Sequence, residues 1–135
     1  MSHAPADHCR HCPRCGRATF STERTNPYRC AACGFLLFFN PAAAVAALIV
    51  RDDGFVLFVR RALDPGKGQL GLPGGFVDHG ETAEAALRRE VREEVGLELL
   101  SPTYLASFPN RYRFADVLYE TLDLFYLSRC LDASV

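Results

Sequence analysis

Gly75-Phe-Val-Asp-His-Gly-Glu81-Thr82-Ala83-Glu84-Ala-Ala-Leu87-Arg88-Arg89-Glu90-Val91-Arg92-Glu93-Glu94-Val95-Gly96-Leu97 is the stretch whose reading decides the fold of this chain. Thr82 has the side chain of an N-cap, Ala83 to Val95 contain neither Gly nor Pro, and Gly96 stands where a left-handed residue ends a helix. The segment predicts a helix of about four turns. At roughly 100° per residue, Ala83, Leu87, Val91 and Val95 share one stripe that should pack against a sheet. With Leu87 at zero, Glu94 projects at about 340°, Glu90 at about 300° and Glu93 at about 240°, so Glu94 is expected to point almost into that stripe. Like charges three or four residues apart each cost roughly a few tenths of a kcal/mol, and a carboxylate near a core face costs more. A cation there would offset the cost.

The preceding Leu72-Pro73-Gly74-Gly75 supplies the opposite wall, because adjacent glycines let backbone approach a metal or a phosphate with no side chain between. Mg²⁺ and Mn²⁺ take oxygen ligands and are commonly held by a few carboxylates together with substrate phosphate. The spacing reads G-x5-E-x7-R-E-U-x-E-E-x-G-U with U apolar, and it resembles the Nudix box of the Nudix hydrolases at every specified position. That resemblance implies that the Gly75 carbonyl and the carboxylates of Glu90, Glu93 and Glu94 bind the metals, and that Arg89 pairs with a box glutamate and orients it. It implies Glu90 or Glu94 as catalytic base or ligand, with the two assignments open. In several family members the base comes from a later loop instead; here the acids well downstream are Asp116, Glu120, Asp123 and Asp132, and none lies in a motif.

The implied reaction is Mg²⁺- or Mn²⁺-dependent hydrolysis of a nucleoside diphosphate linked to another group, giving a nucleoside monophosphate and a phosphorylated product. With the upstream pairs Cys12/Cys15 and Cys30/Cys33, which look like a zinc ribbon, the chain resembles the arrangement of NADH pyrophosphatases, whose box is followed by Ser-Gln-Pro-Trp-Pro-Phe-Pro. This chain carries Ser107-Phe108-Pro109-Asn110-Arg111-Tyr112 near that place and has no tryptophan, which disfavours NADH; the arrangement also resembles that of enzymes that cleave ADP-ribose or FAD, and this resemblance implies a substrate of that type. Phe108, Tyr112 or Phe114 could stack a base, and Arg60, Arg61, Lys67, Arg111 or Arg113 could meet phosphates. The alternative is a non-catalytic sensor that binds a nucleotide in a Nudix-like pocket and uses the ribbon to hold nucleic acid or protein. A full set of glutamates favours the enzyme, since binding alone does not need several positioned carboxylates.

Upstream, Cys12-Pro-Arg-Cys15-Gly16 and Cys30-Ala-Ala-Cys33-Gly34 form C-x2-C knuckles separated by fourteen residues. Four thiolates so spaced suit tetrahedral Zn²⁺, each following glycine permitting a tight turn that aims N–H groups at sulfur. The segment looks like a zinc ribbon, structural in role. Cys9-x-x-Cys12 is a competing knuckle without the glycine, so Cys9 is expected to be spare and His3, His8 and His11 solvated, with Cys130 in the core. A disulfide framework is the other reading of the cysteines, disfavoured because no signal sequence precedes them. Arg10, Arg14, Arg17, Arg24 and Arg29 outnumber Asp7 and Glu23 here, which would suit phosphate, yet an interface or homodimer role is preferred over nucleic acid.

The 135 residues carry a formal charge of −1 and no apolar run long enough to cross a membrane. A cytoplasmic protein acting on a small-molecule nucleotide is expected, with a tail and ribbon over residues 1–38, a boundary at Asn40-Pro41, and a catalytic domain over 39–135. Within the latter, Ala43 to Arg51, Phe55 to Arg60, Leu70 to Leu72, Phe76 to Val77, Pro102 to Phe108 and Thr121 to Cys130 read as strands, with Asp52-Asp53-Gly54 a hairpin turn. This is an α+β pattern. The resemblance sharpens it to an α/β/α sandwich with a mixed sheet, and implies that the C-terminal part of that fold is missing and one sheet face left apolar and bare.

Overall fold

The computed structural model describes residues 4–18, 26–64 and 66–130, with Cys130 by its backbone alone. His3, Glu23, Arg24, Pro65, Asp132 and the side chain of Cys130 therefore lie outside the described residues. The chain divides into two compact units, Met1–Pro41 with Arg111–Glu120, and Ala42–Asn110 with Thr121–Val135.

The first unit contains a one-turn helix α1 (Pro5–His8) and two short antiparallel strands, β1 (Tyr28–Arg29) and β2 (Leu36–Leu37). Tyr28 packs edge-on against Phe39 at 5.1 Å, and Asn26 exchanges hydrogen bonds with the Phe39 backbone. Strands this short bury little, so the two inward cysteines, Cys12 and Cys30, are its fully buried side chains among those described.

The second unit is built on a mixed sheet. Strand β3 (Ala42–Ile49) is followed by β4 (Val59–Arg60) and β5 (Leu70–Gly71), which pair with each other, then by β6 (Gly74–Phe76), helix α2 (Ala83–Val95), and the long strands β7 (Leu99–Phe114) and β8 (Val117–Cys130). The sheet order is β6-β3-β8-β7, with β3 antiparallel to β6 and parallel to β8. Val45, Ala47 and Ile49 alternate onto one face and meet Ala86, Leu87 and Val91 of α2, with Leu97, Leu99 and Tyr126 completing the core. The other face of the sheet is apolar and open: Phe76 is 40% exposed, Phe108 58% and Leu127 38%.

Two expectations are corrected. The return strand after the Asp53-Gly54 turn is reduced to a bridge between Val50 and Val56 and the short β4. The last two strands are far longer than their sequence reading, because Ala115 and Asp116 at φ 46° and 63° close them into one hairpin. Two left-handed central residues match the twist of paired strands, yet Ala-Asp lacks the Asn-Gly signature by which such a turn is usually seen.

Candidate active site and metal centre

The caps hold α2 in register. Thr82 accepts a hydrogen bond from the Ala85 N–H at 3.1 Å, and Gly96, at φ 69°, donates to the Arg92 carbonyl at 3.0 Å. With Leu87 and Val91 turned into the core, Glu90 faces the edge strand β6. There it lies so close to Gly75 that a Cβ on that glycine would stand 2.4 Å from the carboxylate. Gly74 is constrained from the opposite side, where a Cβ would fall 2.0 Å from the Val45 carbonyl oxygen. Its N–H donates to Glu94 Oε2 at 3.0 Å. The two glycines are thus needed for close approach of sheet, helix and carboxylates.

Arg89 ties the acids together. Its Nε and Nη2 donate to the two oxygens of Glu81 at 2.8 and 2.9 Å, and its Nη1 to Glu90 at 2.8 Å and Glu93 at 3.3 Å. Nη2 also donates to the Phe76 carbonyl at 3.0 Å, while Asp78 stands 3.7 Å away. The bidentate Arg89 contact, with the Asp78 N–H next, holds the Glu81 carboxyl below its ordinary range. The same Glu81 pair, then Glu90, drives the Arg89 guanidinium upward, so it stays charged. Glu81 was not among the expected site residues; it is the first carboxylate of the box spacing, which was signal enough to find it.

One arginine among Glu81, Glu90, Glu93 and Glu94 leaves a surplus of negative charge made of hard oxygen donors beside a glycine wall. That donor set fits Mg²⁺ or Mn²⁺ and is poorly suited to soft metals. The Glu90 side chain is the most enclosed, at 17% exposure against 59% for Glu93. Glu94 corrects the helical-wheel expectation, since it is exposed rather than set into the apolar stripe. A wheel gives angle but not axial position, and Glu94 lies on the last turn, where β6 has narrowed to the Gly74 backbone.

The remaining expected contacts lie elsewhere. Arg60 donates to the Gly68 carbonyl at 2.6 Å, and Arg61 shares backbone hydrogen bonds with Gly68 and Gln69 in the loop joining β4 to β5. Phe108 packs edge-on against Phe125 at 5.9 Å, and Tyr112 stacks on Phe114 in the hairpin tip, which belongs to the first unit. The downstream acids among the described residues are engaged: Asp123 accepts from Thr121 at 2.7 Å and Asn110 at 2.8 Å, Asp116 from Arg113 at 3.0 Å, and Glu120 pairs with Arg111 at 3.6 Å.

In the first unit Cys12, Cys15, Cys30 and Cys33 bring their sulfurs within 4.8 Å of one another. Cys12 and Cys33 are 3.7 Å apart, Cys15 and Cys30 3.8 Å. A metal–sulfur bond of about 2.3 Å in a tetrahedron sets sulfur–sulfur edges of roughly 3.8 Å, so the spacing is that of a metal site and not of disulfides. Cys9 stands outside this group, as expected. The two glycines, Gly16 and Gly34, at φ 72° and 71°, close the tight turns by donating their N–H groups to the Cys12 and Cys30 carbonyls. The Phe35 N–H favours the Cys33 thiolate, but burial and the thiols of Cys15, Cys30 and Cys12 outweigh it and push that thiol up to about 12. A bound cation reverses this resistance to ionisation.

The NUDIX domain family model matches residues 40–131. This chain belongs to the Nudix family. The Nudix segment is similar to an ADP-ribose pyrophosphatase of Methanocaldococcus jannaschii, 46% identical over 63 residues that make up 47% of this chain and 37% of that protein. It is also similar to the NAD-capped RNA hydrolase NudC of Stutzerimonas stutzeri, 32% identical over 98 residues covering 73% of this chain and 35% of that one. The chain thus spans little more than a third of the length of these relatives. Among solved structures, a MutT NUDIX hydrolase from Burkholderia pseudomallei superimposes with a TM-score of 0.59 at 36% identity, covering 67% of each chain. The Nudix fold accounts for the mixed sheet and the helix packed on it. Among the described residues no helix is long and apolar enough to cross a membrane.

Proposed function

We propose that the chain is a Mg²⁺- or Mn²⁺-dependent pyrophosphohydrolase that splits a nucleoside diphosphate linked to a second group, with ADP-ribose or FAD as the substrate type. The observation that carries the reading is the Glu90 carboxylate held by Arg89 directly against the backbone of Gly75. Glu90, Glu93 and Glu94 with the Gly75 carbonyl would hold the divalent ion. When bound, that ion supplies neutralisation of the diphosphate and acidification of a water. Arg89 and Glu81 keep Glu90 oriented, and Glu90 and Glu94 divide the work of ligand and of base accepting the water's proton. The M. jannaschii relative, named for ADP-ribose, supports that substrate type. The four cysteines bind structural Zn²⁺ in the same reading.

A substrate panel tests it. With Mg²⁺ present, ADP-ribose, FAD, NADH, diadenosine polyphosphates and nucleoside triphosphates are each incubated with the protein and nucleoside monophosphate release is followed by chromatography. ADP-ribose or FAD is expected to be turned over fastest, with Glu94→Gln greatly slowed. Faster hydrolysis of NADH would overturn the substrate assignment, and indifference to Glu94→Gln together with no turnover would support the nucleotide-sensing alternative.

A further inference from the structure

Helix α2 meets the sheet through small apolar side chains, with Ala86, Leu87 and Val91 set against Val45, Ala47 and Ile49. Such an interface sets how closely the helix approaches but says little about where it stops along its own axis, because apolar burial is non-directional. A slip of one residue would carry the carboxylates about 1.5 Å. The site tolerates less than that, since the Glu90 carboxylate already occupies space that a methyl group on Gly75 would need. Something directional must hold the helix in place.

We propose that Tyr126 is a positioning residue for the carboxylate site: its hydroxyl, donated to Glu84 in the first turn of α2, pins the helix to β8 and so sets where Glu90 stands against Gly75. The inference rests on the reading of the site given above. Tyr126 is 4% exposed, belongs to the core, and lies edge-on to Tyr104 at 5.8 Å. Its hydroxyl donates to Glu84 Oε1 at 3.1 Å across 42 positions of sequence. Glu84 is fastened in turn, its carboxyl drawn down by its own backbone N–H first, then by the Tyr126 phenol, with the Thr82 hydroxyl adding to it. The three groups join the N-cap, the first turn and the central sheet.

Phenylalanine would fill the same volume at this place without a polar atom to satisfy, so the hydroxyl marks a requirement for direction rather than for burial. The other polar ties of α2 fall later along the helix. Arg88 donates to the Leu99 carbonyl at 2.7 Å, Arg89 to that of Phe76, and Glu94 accepts from Gly74. Glu84 and Tyr126 supply the tie at the start, about 9 Å along the axis from Glu90, where it resists both sliding and tilt.

The test is Tyr126→Phe in the full chain, compared with Glu84→Ala, Glu84→Gln and the Tyr126→Phe/Glu84→Ala double variant. Expected for Tyr126→Phe are a kcat about tenfold lower with KM nearly unchanged, because a misplacement of about 1 Å costs turnover rather than binding. Mn²⁺ affinity, followed by electron paramagnetic resonance, weakens in parallel. Glu84→Gln keeps an acceptor oxygen and restores most of the kcat, and the double variant is no worse than either single removal. Unchanged kcat and Mn²⁺ affinity in Tyr126→Phe, or losses that simply add in the double variant, would overturn the proposal. Should the unmodified protein neither turn over substrate nor bind Mn²⁺, the site reading fails, and amide hydrogen exchange still decides the clamp. Faster exchange over residues 85–90 in Tyr126→Phe, with β3 unaffected, supports it, and unchanged exchange refutes it.

Discussion

In the ribbon, four thiols converge on one another at ion-sized spacing; in the box, three glutamates, Glu81, Glu90 and Glu93, converge on an arginine. The contrast lies in what stands at the centre. The ribbon has two strands of two residues each and buries Cys12 and Cys30, so an ion held there would be part of its folding free energy. The box rests on a core that includes Ile49, Leu87 and Val91, and Arg89 already neutralises part of its charge. In the proposed reading a metal is structure in one unit and reagent in the other.

The comparison breaks most visibly at Cys30. In Cys30→Ser, zinc content measured by elemental analysis should fall from about one ion per chain to nearly none, and the ribbon's amide signals should collapse while those of α2 persist. Full zinc content in that variant would refute the four-thiol site. Next comes Gly75→Ala, whose methyl group meets the Glu90 carboxylate: kcat is expected to fall about a hundredfold while the melting temperature moves little. Arg89→Lys is milder, because lysine keeps the charge but cannot bridge Glu81, Glu90 and Glu93 at once; steady-state kinetics should show kcat about tenfold lower.

The smallest effect is on acid stability. The Glu81 carboxyl is lower in the folded protein than unfolded, chiefly through Arg89, so its contribution is present above the ordinary carboxylate range and is lost as pH falls through the lowered folded value. Urea midpoints followed downward from neutral pH should therefore decline more steeply in acid for the unmodified chain than for Glu81→Gln. Parallel curves would mean that the pair does not couple to folding.

Much of this was legible in the chain. The helix from Ala83 to Val95, its Thr82 cap and its Gly96 stop follow from local chemistry, and the thiol set follows from spacing, with Gly16 choosing the Cys12/Cys15 pair over Cys9/Cys12. Long-range features were not. The Ala115-Asp116 turn carries no glycine signal, so the hairpin between β7 and β8 went unseen and its strands were cut short. Glu94 was placed by angle alone, without the edge at which β6 stops. The Tyr126 tie to Glu84 joins residues too far apart for any periodicity to link them.

The central claim, that the box carboxylates make this chain a metal-dependent pyrophosphohydrolase, is tested most directly by AMP release from ADP-ribose in Mg²⁺ by the unmodified protein and by Glu90→Gln. Mg²⁺-dependent turnover abolished by chelation, and lowered about a thousandfold in Glu90→Gln with the circular dichroism spectrum intact, is the predicted result. Turnover that survives either chelation or Glu90→Gln would contradict it.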